Sequence, residues 1–72
     1  MLPNDLVNLV KNDVIRSCAE DTKRGMYPSV LVCYKGNIDG LYTASEVMHH
    51  LGKKKEEDTL YKLAERLKEE LL

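Results

Sequence analysis

Val30-Leu31-Val32-Cys33-Tyr34-Lys35-Gly36-Asn37-Ile38-Asp39-Gly40-Leu41-Tyr42-Thr43-Ala44-Ser45-Glu46-Val47-Met48-His49-His50-Leu51 is the stretch whose reading decides the fold. Gly36-Asn37 is a two-residue turn signal, of the kind whose positive φ values match the twist of flanking strands. Ser29–Lys35 and Ile38–Tyr42 are therefore expected to form an antiparallel hairpin. A helix is expected to start at Thr43. Its hydroxyl would accept the Glu46 backbone N–H while the Glu46 carboxylate reaches back to the Thr43 N–H, a reciprocal capping box. In the first strand Val30, Val32 and Tyr34 alternate with Leu31 and Cys33, so both faces are apolar and both need cover.

The flanks read as helices. Asn4 is a good N-cap with Asp5 in the first turn, and Leu6, Val10, Val14 and Cys18 recur every four residues, with Val7, Leu9 and Ile15 widening the stripe. Lys23 and Arg24 suit the negative end of this helix, and Gly25 suits its left-handed closing position, giving a helix over Asn4–Lys23. Pro28 removes a backbone donor just before the first strand. After the hairpin, Ala44, Val47, Met48 and Leu51 make one buried helical stripe that Gly52 ends. Lys53-Lys54-Lys55 followed by Glu56-Glu57-Asp58 complements the dipoles of two successive helices and reads as a solvated linker and cap. Leu60, Leu63, Ala64, Leu67 and Leu71 then form a narrow stripe on a third helix.

The expected fold class is α+β, a single domain over residues 1–72 in the order α-β-β-α-α, with the hairpin covered by amphipathic helices. Its expected core is Leu9, Val10, Val14, Val30, Val32, Leu41, Val47, Met48, Leu51 and Leu63. A chain of this length buries only about 60% of its unfolded surface. One subunit is thus short of cover for a two-faced strand. A homodimer is expected, with Val32, Tyr34, Leu60, Leu63, Leu67 and Leu71 at its interface.

Eleven basic residues against 12 acidic ones leave a net charge of −1, which offers no general attraction for nucleic acid or an anionic membrane. There is no apolar run of transmembrane length, and the opening Met1-Leu2-Pro3-Asn4-Asp5 has no basic leader, so a cytoplasmic location is expected. Cys18 and Cys33 lack CxxC spacing and a neighbouring pair of ligands; they read as small buried apolar residues with reduced thiols. His49 and His50 diverge by about 100° around a helix and do not close on one metal. Glu46 and His50 read as an ordinary i, i+4 pair, and Ser17 and Ser45 are explained by helix position. No catalytic set and no metal site are expected. Gly40-Leu41-Tyr42-Thr43 at a helix start could attract an anion, but it lacks P-loop spacing.

The run from Arg24 to Met48 resembles the second half of a cystathionine-β-synthase (CBS) motif, in which two strands around a glycine-containing turn lead to G-x-x-T-x-x-D at a helix start. Gly40, Thr43 and Glu46 fall on that pattern. The resemblance implies an adenine-nucleotide site at these three residues, with Thr43 and Glu46 as the contacts to phosphate and ribose. Glu46 stands where the family has aspartate, the family's leading strand is missing, and the usual tandem copy is absent. Tyr42, Thr43, Glu46, Leu51 and Gly52 are also similar to the opening of an excisionase- or MerR-type helix-turn-helix. The segment Lys53–Asp58 is longer than the tight turn of that pattern and puts acids where a recognition helix would meet phosphates, which disfavours DNA reading. The leading expectation is a small non-enzymatic regulator that acts by binding an unidentified protein, as phage- and mobile-element-type inhibitors of host proteins do. A CBS-like nucleotide sensor and a DNA-binding accessory protein are the alternatives.

Overall fold

Ser29 starts a helix where a strand was expected. Its backbone is extended (φ −158°, ψ 162°) and its Oγ accepts the Val32 N–H at 3.3 Å, which caps a helix running Val30–His50. Pro28 lies just outside that cap, where its missing donor costs nothing. In this computed structural model, which describes residues 3–72, the chain is α1 (Asn4–Lys23), α2 (Val30–His50) and α3 (Lys54–Leu71), with no strand among the described residues. Met1 and Leu2, part of the opening read above for a leader, lie outside the described residues.

The α+β expectation is therefore overturned. With it go the hairpin, the capping box at Thr43 and the two-faced strand that called for a second subunit. Tyr34, Ile38, Leu41, Ser45 and Met48 recur at steps of four and three, so they share one face of α2 and override the local turn signal. Gly36 and Gly40 lie in open space on that helix, where an added Cβ would meet nothing within 4 Å. Gly36→Ala and Gly40→Ala are each expected to raise stability by about 0.5–1 kcal/mol, read as urea midpoints. A type I′ turn at Gly36 would show the opposite sign.

Two glycines do need their freedom. Gly25 has φ 80° and Gly52 has φ 73°, as their sequence positions indicated. After α1, the Met26 N–H bonds the Asp21 carbonyl at 2.9 Å and the Gly25 N–H bonds that of Thr22 at 3.0 Å. After α2, Lys53 and Gly52 repeat the arrangement on Met48 and His49 at 2.9 and 3.1 Å. Both helices thus close with the same pair of hydrogen bonds to carbonyls of their last turn. At the other end of α1 the capping residue is Pro3, not Asn4, whose Oδ1 instead accepts from Arg66 Nη1 at 3.5 Å.

The short connection after α2 makes α2 and α3 an antiparallel pair, seen in the partners Tyr42 with Glu65 and His49 with Glu57. Helix α1 runs parallel to α3, since Asn4 meets Arg66 and Lys11 meets Glu70, the latter at 2.8 Å. Val7, Val14, Cys18, Cys33, Ile38, Leu63, Ala64 and Leu67 form the core. Cys18 and Cys33 are buried as expected, but they are bonded to each other as a disulfide, with Cα atoms 5.6 Å apart; the reduced-thiol expectation is corrected.

Of the expected core, Val14 and Leu63 are buried, while Val10 and Leu41 pack against it and Met48 is half-buried. Leu9, Val30, Val32, Val47 and Leu51 are exposed. Strand alternation had turned Val30 and Val32 inward; helical phase puts Cys33 and Ile38 there instead. No helix among the described residues is long and apolar enough to cross a membrane.

Candidate functional site: a half-filled groove between α2 and α3

The α2–α3 pair has two sides, and α1 covers part of one. That side carries Cys33 and Asn37 on α2 and Leu63, Arg66 and Glu70 on α3. Because α1 begins beside Arg66 and runs parallel to α3, it covers only the part of the groove away from the α2–α3 turn. Toward the turn the groove continues without a third helix. Met48, Lys55, Glu56, Thr59 and Leu60 line a cavity of about 400 Å³ there. Met48 extends the inner stripe of Leu41 and Ser45, and Leu60 precedes Leu63 and Ala64 on the inner stripe of α3. The floor is apolar, and the rim carries Lys55 and Glu56, with Lys54 held by Asp58 at 3.4 Å.

The opposite side is polar. Tyr42, Ser45, Glu46, His49, Glu57 and Tyr61 line a cleft of about 390 Å³. Tyr42 donates its hydroxyl to Glu65 Oε2 at 2.9 Å and meets the Tyr61 ring edge-on, with centroids 5.5 Å apart. His49 Nδ1 lies 3.1 Å from Glu57 Oε1. Partial burial, and then the hydrogen bond to Glu65, push the Tyr42 hydroxyl up to about 12. Tyr61 is raised too, first by Glu65 and then by its charge. The Tyr42 hydroxyl thus donates across from α2 to α3 and ties the two helices. The carboxylate of Glu70 is held low by the hydrogen bond from Lys11, with Arg66 adding to it against some desolvation.

The folded pKa of Tyr42 lies above its ordinary value of 10.0, so its contribution is complete below that value and is lost as pH rises toward about 12. Tyr42→Phe is expected to reduce the loss of stability across that alkaline window, leaving the part due to Tyr61. Denaturant melts between pH 9 and 12, roughly bracketing the two values, measure it.

The residues implied as nucleotide contacts fall on successive turns in the interior of α2. Gly40 is exposed, Glu46 sits on the rim of the polar cleft, and the Thr43 hydroxyl donates back to the Asp39 carbonyl at 3.0 Å. The helix start that would present N–H groups to a phosphate is at Ser29. Among the expected interface residues, Leu63 and Leu67 are buried in the core of the single chain. Tyr34 and Leu71 are half-buried against that core and Val32 is exposed. Leu60 alone of the six lines the open groove.

His49, rather than His50 through Glu46, finds a carboxylate, and it belongs to the next helix. Among the described residues no group of three or more His, Cys, Asp or Glu is gathered as a metal site. Sequence reasoning missed the pairing of Met48 with Leu60. The usable signal was that both lie on inner stripes within a few residues of the Gly52 closure. No protein-family model, no curated protein and no solved structure matches the chain.

Proposed function

We propose that this chain is a non-enzymatic protein-binding module that takes an amphipathic helix of a partner protein into the open half of the α2–α3 groove. One observation carries the reading: the same groove already holds a helix, α1, over its other half. A second helix seated on Met48 and Leu60 would continue the line of α1, with apolar anchors at i, i+3 and i+4 spacing. On the rim, Lys55 favours an acidic side chain on that partner and Glu56 beside it a basic one, so the partner's flanks carry both signs. The strand-based reason for a homodimer has gone with the hairpin, so a second copy of this chain becomes an outcome of the test and not its premise.

The test is an NMR titration with a synthetic Leu/Glu amphipathic helical peptide. Amide shifts should centre on Met48, Thr59 and Leu60. Leu60→Glu should weaken binding at least tenfold and the rim change Lys55→Glu several-fold, while Val32→Glu leaves it unchanged. Shifts centred on the outer residues Val32 and Val47, self-association in place of peptide binding, or no shifts at millimolar peptide would overturn the proposal.

A further inference from the structure

We infer that Cys18 and Cys33 form a thiol–disulfide exchange site for low-molecular-weight thiols and disulfides of the glutathione class, and that its redox state decides whether α1 occupies its half of the groove. The inference does not depend on what fills the other half.

The two sulfurs sit in unequal surroundings. Cys33 lies in the first turns of α2, its N–H bonded to the Ser29 carbonyl at 3.3 Å, where the positive end of the helix favours a thiolate. Cys18 lies toward the negative end of α1. Asn37 Nδ2 donates to the Cys33 carbonyl at 2.9 Å and stands 3.5 Å from the Cys18 sulfur and 3.6 Å from that of Cys33. An amide donor is thus in place beside both sulfurs, the group a departing thiolate needs.

Both cysteines are buried, at 0% and 1% exposure, so a reagent reaches them only when α1 lifts. The hold on α1 is slight apart from the disulfide. Only Val7, Val14 and Cys18 of α1 are buried, and its polar ties to α3 are the surface contacts Lys11–Glu70 and Asn4–Arg66. The α2–α3 pair keeps its own contacts through Leu63, Leu67, Ile38 and the Tyr42–Glu65 bond. Local opening of α1 is therefore the accessible motion.

In the open dithiol, the Cys33 thiolate attacks one sulfur of a low-molecular-weight disulfide. A mixed disulfide forms at Cys33 and one small thiolate leaves. The Cys18 thiolate then attacks the Cys33 sulfur and expels the second. The protein dithiol is oxidised by two electrons, the small disulfide is reduced to two thiols, and the two cysteine protons end on those thiols. Reduction is the reverse.

The test is hydrogen exchange on the full chain in glutathione buffers of set ratio, with reduction rates by dithiothreitol. On reduction, amides of α1 should lose at least tenfold more protection than those of α2 and α3, whose loss reflects the lower stability of the whole chain. An equal loss in all three helices would make the bond a simple staple, and unchanged α1 protection would make it inert; either overturns the inference. Asn37→Ala gives a second check. Loss of the donor beside the leaving thiolate should slow reduction several-fold, whereas a purely structural role for Asn37 would loosen α1 and speed it.

Discussion

Replacing Cys18 and Cys33 together with alanine is expected to lower stability by about 3 kcal/mol, because the bond joins residues 15 apart and removes the freedom of that loop from the unfolded chain. Against a total of roughly 0.05–0.15 kcal/mol per residue for ordinary domains, that is a large share. The loss falls on α1 first, since the bond is its main attachment to α2. Thermal melts followed by circular dichroism should show a fall in Tm on the order of 15 °C. The native sequence in reductant should follow the double variant, and the double variant should not respond to reductant. Equal melts with and without reductant in the native sequence would remove the bond from the account.

The second large effect is at Leu67, which is fully buried between the helices. Leu67→Ala is expected to cost about 3 kcal/mol, the lost transfer energy plus the cavity left behind. Leu51, at 61% exposure, is the matched control. Leu51→Ala is expected to change stability by less than about 0.5 kcal/mol. The contrast separates this structure from a hairpin arrangement, in which Leu51 would be core and Leu67 an interface residue. Urea midpoints of the two variants measure it.

Much of the chain was legible because its local signals agree with its packing. Helix α1 ends where Lys23 and Gly25 indicate, α2 ends before Gly52, and Leu63, Ala64 and Leu67 of α3 face inward on the stripe that periodicity shows. The middle was not legible because two local signals there oppose the fold. Val30-Leu31-Val32-Cys33-Tyr34 is rich in strand-favouring residues, and Gly36-Asn37 has the chemistry of a hairpin turn. Against them stood the Ser29 cap and the Tyr34, Ile38, Leu41, Ser45, Met48 spacing, in which a polar serine breaks the apolar pattern. Tertiary contacts decided the conflict, since α2 buries Ile38 against α3 and bonds Cys33 to α1. The groove was illegible for the same reason. It consists of the inner stripes of two helices, and one of those helices had been read as strands.

That Val30–His50 is one unbroken helix is the claim from which the groove, the disulfide geometry and the half-coverage by α1 all follow. Backbone chemical shifts across this stretch test it most directly. Helical secondary shifts running without interruption from Leu31 through Gly36-Asn37 to His49 are the expected result. Extended shifts over 30–35 and 38–42, with a break at Gly36-Asn37, would contradict it and restore the hairpin.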